Sequence, residues 1–259
     1  LMAGGNAIDA AVATAATLSV VEPQSTSVGG DVFSLIWMND EKSVRALNAS
    51  GRSSGSASRS ELLSQNMSHI PVQSPYAVTV PGAVSGWSAV LERYGTMALS
   101  DVLKPAIEYA SNGYPVSELV STSWKANAYK LQAFPSGGEL LLNGKAPATG
   151  QVMRMPELAK TLQIIAEGGS EAFYKGDIAK KIVGYVQERG GWITLEDMKN
   201  HEANWVEPIS TEYRDYTVWQ CPPNTQGLNV LMALNIYEGF NNTETSDPCL
   251  LYTSPSPRD

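Results

Sequence analysis

Apolar residues fall in short runs whose period changes along the chain. Residues 9–18 carry Ala and Val with small residues on every side, which predicts a fully buried helix, and Gly5, Asn6 and Asp9 supply capping chemistry at its start. Val32–Met38 is a β-branched and aromatic run that follows Gly29-Gly30, and residues 44–47 make a second short strand. Together they predict a hairpin across Asn39-Asp40. Residues 51–60 are nearly all Gly, Ser, Ala and Arg and read as a loop. Residues 76–80 read as another strand, stopped by Pro81-Gly82.

Beyond this point the period becomes helical. Val84, Trp87, Leu91 and Tyr94 share one face, ending at Gly95. Val102, Ile107 and Ala110 form a second face, with Ser100 as N-cap, Gly113 as the stop, and Pro105 either kinking the helix or sitting close to its start. Pro156 opens a helix carrying Leu158, Leu162 and Ile165, closed by Gly168-Gly169. Residues 178–186 form the next, ending at Gly190-Gly191, and Thr194-Leu195-Glu196-Asp197 resembles a capping box. Residues 206–218 are broken, strand-like sequence, and residues 227–237 are one more apolar helix. The chain shows no internal repeat and no linker long enough to separate domains.

Composition narrows the class. The 259 residues include 18 Lys or Arg against 26 Asp or Glu, a formal net charge of −8. Apolar residues at 43% and charged residues at 17% exclude a disordered chain. The acidic balance excludes a nucleic-acid binder, which needs clustered cations to neutralise phosphates. The longest apolar run, residues 10–18, is too short to span a membrane. Two Cys cannot make a disulfide framework or a zinc site. Both ends look cut. Leu1-Met2-Ala3-Gly4-Gly5 reads as the close of a helix with nothing upstream to be closed, and no leader-like segment precedes it. Residues 249–259 have no periodicity and resemble one reading frame of a transposon-end adaptor used in sequencing libraries. They are read as an adaptor-derived tail, residues 1–248 as the protein proper, and Cys221 as its one genuine cysteine.

Local patterns that suggest chemistry are mostly refused. Gly4-Gly5 before a helix lacks the rest of a dinucleotide or phosphate-binding fingerprint. A serine triad needs a His held by a carboxylate, and neither His69 in a polar loop nor His201 near a short helix stands beside a Ser elbow. No His, Cys or carboxylate cluster has metal spacing, and no cofactor is implied. Three Asn-x-Ser/Thr tripeptides fit the glycosylation pattern but arise readily by chance. The six Trp are dispersed and read as packing.

Ordered blocks carry the reading further. Gly4-Gly5-Asn6-Ala7-Ile8-Asp9-Ala10-Ala11-Val12-Ala13, Val21-Glu22-Pro23 and Val28-Gly29-Gly30-Asp31-Val32-Phe33 resemble the opening of the γ-glutamyltranspeptidase large subunit. Val80-Pro81-Gly82-Ala83-Val84-Ser85-Gly86-Trp87, Arg93-Tyr94-Gly95, Asn112-Gly113-Tyr114, Phe173-Tyr174-Lys175-Gly176 and Tyr213-Arg214-Asp215-Tyr216 continue it in family order. The resemblance implies an α+β fold, the αββα sandwich of N-terminal-nucleophile hydrolases, incomplete here and limited to the large-subunit portion. It also implies a precursor that cuts itself, exposing a Thr at the start of the small subunit. The α-amine of that Thr can serve as the base, which suits a chain with two His. A γ-glutamyl-enzyme ester then yields to water or to an amine acceptor. The nucleophile segment lies beyond residue 248 in the family, so this chain alone is expected to be inactive. Its implied partners are the small subunit and a γ-glutamyl substrate, and its implied location is periplasmic or secreted, with cytoplasmic as the alternative.

Family members bind the substrate carboxylate with an Arg in an Arg-Glu-x-Ala-Pro block. Here the corresponding stretch is Leu47-Asn48-Ala49-Ser50-Gly51-Arg52-Ser53-Ser54, which puts Ser50 on the Arg position and Arg52 two residues later. Ser50 and Arg52 are therefore the candidate substrate-binding residues. Two other readings stand beside γ-glutamyl transfer: an amidohydrolase of another acyl group, resembling cephalosporin acylases, and a non-catalytic binding homologue.

Overall fold

A computed structural model of the chain describes residues 1–239; the 249–259 tail lies outside the described residues. The chain divides into two compact units, Leu1–Phe33 with Leu47–Asn204, and Ser34–Ala46 with Trp205–Asp259.

In the first unit, α1 (Ala7–Val21) begins with a capping box in which Asn6 accepts from the Ile8 and Asp9 amides and Asp9 accepts from the Asn6 amide. Asp9 then reaches beyond its own helix. Its carboxylate accepts from the Thr96 amide at 2.9 Å, the Thr96 hydroxyl at 2.6 Å and the Met97 amide at 3.1 Å. Strands β1 (Val32–Met38) and β2 (Ser43–Ala49) follow, joined by the expected turn, with Lys42 at φ 48°. After the short α2 (Arg59–Ser64), the expected strand over residues 76–80 is replaced by a 3-10 turn, Pro75–Ala77. Ser74 caps that turn through the Tyr76 amide, and Pro75 fixes the φ it needs.

Helix α3 (Ala83–Tyr94) buries Val84, Trp87 and Leu91, as the spacing predicts. The next helical stretch is two helices, α4 (Leu99–Val102) and α5 (Lys104–Asn112). The N-cap of α4 is Ala98, without a side-chain bond, and not Ser100; Pro105 sits in the first turn of α5, where its missing N–H costs nothing. A two-residue strand β3 (Tyr114–Pro115) and the helix α6 (Glu118–Gln132) were not legible from spacing; α6 buries only Val120 and Trp124. β3 pairs antiparallel with β4 (Val152–Met153). Helix α7 (Pro156–Tyr174) does not stop at Gly168-Gly169. It breaks its direction at Gly169, φ 65°, and continues to Tyr174. α8 (Asp177–Gln187) and α9 (Leu195–Lys199) follow, the latter with the expected Thr194–Asp197 capping box. The core of this unit is where α1, α5 and α7 meet, around Val20, Leu103, Leu162 and Ile165.

The second unit holds most of a three-stranded sheet whose order is β1-β2-β5, with β5 spanning Asn204–Val206. It also holds the hairpin of β6 (Ile209–Tyr213) and β7 (Tyr216–Gln220), which turns at Arg214 with φ 54°. Helix α10 (Gly227–Glu238) packs on this hairpin; its Glu238 accepts from the Arg214 amide at 2.9 Å. Cys221 is buried, and its Sγ lies 3.7 Å from the Ser34 carbonyl.

Candidate substrate-binding site

Three turns of the first unit are bound to one another through their backbones: Gly29-Gly30-Asp31, Ser50-Gly51-Arg52 and Pro81-Gly82-Ala83. The Gly30 carbonyl accepts from the amides of Gly82 at 2.9 Å and Ala83 at 2.8 Å. These are two of the N–H groups that the start of a helix leaves without an internal partner, and α3 has no side-chain cap to meet them. The Val80 amide donates to the Arg52 carbonyl at 3.0 Å, and the Gly51 amide donates to Asp31 Oδ1 at 2.7 Å. The approach is too close for a side chain. A Cβ on Gly51 would stand 1.7 Å from the Val80 oxygen, and one on Gly82 would stand 1.9 Å from the Ala49 oxygen. Glycine is required here for proximity, not for a left-handed φ.

The Ser50–Ser54 loop is held further along. The Ser50 amide donates to Asn48 Oδ1 at 3.0 Å. The Ser54 hydroxyl lies 2.7 Å from Asp197 Oδ2 and 2.8 Å from the Trp192 carbonyl, and the Gly55 amide donates to Asp197 Oδ1 at 2.9 Å. Burial alone would raise the Asp197 pKa. The hydrogen bonds from Gly55, Ser54 and Thr194 outweigh it and hold the carboxyl below its ordinary value.

Arg52 thus has a fixed backbone and an exposed side chain, and among the described residues its guanidinium forms no ion pair. A planar fork presented in this way suits bidentate capture of a carboxylate. Ser50 lies in the same turn and is half-buried. Tyr174 supports the third turn: its hydroxyl donates to the Pro81 carbonyl at 2.7 Å and accepts from the Ser85 amide at 3.1 Å. Burial pushes its pKa well above the ordinary phenol value, so it remains a donor. His201 stacks on the Tyr174 ring with centroids 5.4 Å apart. Burial first, then the positive charge of Arg52, push its imidazole below the ordinary value against the opposing pull of Asp31 and Glu202. Neither of its ring nitrogens has a hydrogen-bond partner.

Sequence reasoning missed Asp31, Tyr174 and His201 as parts of this arrangement. Asp31 and Tyr174 stand inside the family-like blocks, but nothing in local spacing ties residue 31 to 51 or residue 174 to 81. His201 was considered only as a triad member. Among the described residues, no group of His, Cys, Asp and Glu could hold a metal ion, and no helix is long and apolar enough to cross a membrane.

The fold is that of the large-subunit portion of an N-terminal-nucleophile hydrolase. The γ-glutamyltranspeptidase family model matches residues 1–251, and the chain belongs to that family. It is 43% identical over 243 residues to the glutathione hydrolase-like YwrD proenzyme of Bacillus subtilis, covering 93% of this chain and 46% of that protein. It is 34% identical over 247 residues to the glutathione hydrolase proenzyme of Escherichia coli, covering 93% and 42%. The crystal structure of cephalosporin acylase from Bacillus halodurans superposes with a TM-score of 0.88 at 40% identity, covering 92% of this chain and 46% of that one. The chain spans about half the length of the curated relatives it matches.

Proposed function

We propose that this chain is the large-subunit part of a proenzyme whose complete form hydrolyses γ-glutamyl amides such as glutathione, or passes their γ-glutamyl group to an amine. The small subunit of the same precursor supplies the N-terminal Thr. Its hydroxyl attacks the γ-carbonyl while its α-amine takes the proton, which then goes to the departing amine. Water or an acceptor amine cleaves the resulting ester. This chain contributes substrate binding. Arg52 receives the substrate α-carboxylate from a turn whose backbone is fixed at Gly51, Arg52 and Ser54. That pinned turn with a free guanidinium is the observation that carries the reading. Ser50, which takes the place of the usual Arg, accepts or donates a supporting hydrogen bond to the same carboxylate. Family resemblance supports a periplasmic or secreted site of action.

A second reading, hydrolysis of another acyl amide, is favoured by the Ser50 replacement and by the similarity to a structure described as a cephalosporin acylase. Steady-state kinetics of the complete enzyme separate the two. A γ-glutamyl anilide should be preferred to its decarboxylated analogue, and Arg52→Ala should erase that preference. Equal turnover of both substrates by the unaltered enzyme would sink the γ-glutamyl reading in favour of the acyl one.

A further inference from the structure

A cavity of about 310 Å³ opens beside His201. One wall is a single face of α3, where Ser85, Ser88 and Glu92 recur at helical spacing and small side chains leave the space. The end of α7 and the segment from Lys199 to Ala203 close the other sides. Several lining groups already have partners. The Ala203 amide donates to Ser85 Oγ at 2.9 Å, Lys175 pairs with Glu171 at 2.5 Å, and Lys199 lies 3.7 Å from Glu196. Two groups have none. His201 is 7% exposed with both ring nitrogens unbonded, and the buried Ser88 hydroxyl is also unbonded. Every tautomer of imidazole carries at least one N–H, and folded proteins rarely leave such a buried donor unused.

The charges around these two groups are mixed. Glu92, Glu171 and Glu202 would repel an anion, and Lys175 and Lys199 would repel a cation. A small molecule carrying both signs meets both sets. We propose that this cavity binds a free α-amino acid, its carboxylate held by the Ser88 hydroxyl, the His201 N–H and Lys199, and its ammonium held by Glu92 and Glu202. This assignment does not rest on the proposed reaction and stands or falls apart from it.

The two histidines of the chain make the test direct, because His69 is exposed and serves as an internal control. The full chain, labelled with ¹⁵N-histidine, is titrated with glycine, alanine and glutamate, and separately with acetate and propylamine. The amino acids should shift the His201 ring nitrogens saturably and leave His69 in place, while the single-charge controls should not. Ser88→Ala and Glu92→Gln should each weaken the titration about tenfold, the scale of one lost hydrogen bond. In the complete proenzyme, equilibrium dialysis should show labelled amino acid lost on Ser88→Leu, which fills the cavity. His201 signals unmoved by every amino acid, or moved equally by acetate or propylamine, or retention unchanged in Ser88→Leu, would each overturn the assignment and leave the cavity to water alone.

Discussion

The Gly51 amide donates to Asp31 Oδ1 across 2.7 Å, so an exposed carboxylate twenty residues away fixes the turn that presents Arg52. Asp31→Ala removes the acceptor, whereas Asp31→Asn keeps an oxygen in the same place. In the complete enzyme, Asp31→Ala should raise KM for a γ-glutamyl substrate several-fold with kcat changed much less, and Asp31→Asn should recover most of the loss. Stability should fall by about 1 kcal/mol in Asp31→Ala, the net worth of one hydrogen bond. Equal KM values for all three proteins would remove Asp31 from the positioning of Arg52.

The glycines at the junction test the same geometry sterically. Gly51→Ala places a Cβ 1.7 Å from the Val80 oxygen, and Gly82→Ala places one 1.9 Å from the Ala49 oxygen. Neither obstacle is a flexible side chain, so two backbone segments must separate. Each variant should lose about 3 kcal/mol or more, read as a large drop in the urea midpoint. Gly4→Ala, whose Cβ would meet no atom within 4 Å but whose φ is 92°, should cost only about 1 kcal/mol.

Stability should depend on Asp9 in acid. Burial alone would raise its pKa, but hydrogen bonds from Thr96, Asn6 and Met97 outweigh it and bring the folded value down to about 2, against 3.8 for an ordinary Asp. The unfolded chain therefore binds the extra proton first as pH falls. The contribution of the Asp9 carboxylate is complete above about pH 4 and is lost as pH drops through about 2. Asp197 acts in the same sense, so the difference between the unaltered chain and Asp9→Asn isolates the Asp9 share. Denaturation at intervals from pH 5 to pH 2 should show that difference shrinking; a constant difference would refute the assignment.

Elements set by local periodicity were legible in the sequence. The face of Val84, Trp87 and Leu91 defined α3, and the Thr194–Asp197 box defined the start of α9, because both signals lie within a few residues. What failed was settled by partners far along the chain. Residues 76–80 look like a strand, but the Val80 amide is taken by the Arg52 carbonyl and Pro75 turns the chain just before. Helix α6 shows no clear stripe because it buries so little of itself. The Arg52 turn was legible as a candidate only through family resemblance. Its supports, Asp31 and Tyr174, act across 20 and 93 residues of sequence, beyond any spacing rule.

Residues 249–259 read as an adaptor-derived tail and lie outside the described residues. A chain ending at Pro248 should unfold at the same denaturant concentration, with the same cooperativity, as the full chain. A shifted midpoint would mean that the tail belongs to the fold.

The chain on its own should neither turn over a γ-glutamyl anilide nor remain dispersed at high concentration. The first expectation follows from the mechanism, in which the attacking Thr comes from the small subunit. The second follows from apolar surface. Trp37 is 58% exposed, and on α10 Met232 and Ile236 are 52% and 64% exposed. Helix α10 is apolar along its length yet buries only Gly227 and Leu231. Exposed apolar surface of this kind marks an interaction site or an aggregation liability, and strand edges without neighbours add to it. Co-expression with the remainder of the precursor should therefore restore both solubility and activity, and Ile236→Lys should improve solubility of the chain alone without restoring activity. Homogeneous chain that hydrolyses the anilide well above background would place a nucleophile within these residues and overturn the proposed division of labour. Chain that stays monomeric at high concentration, by sedimentation, would show that this apolar surface needs no cover.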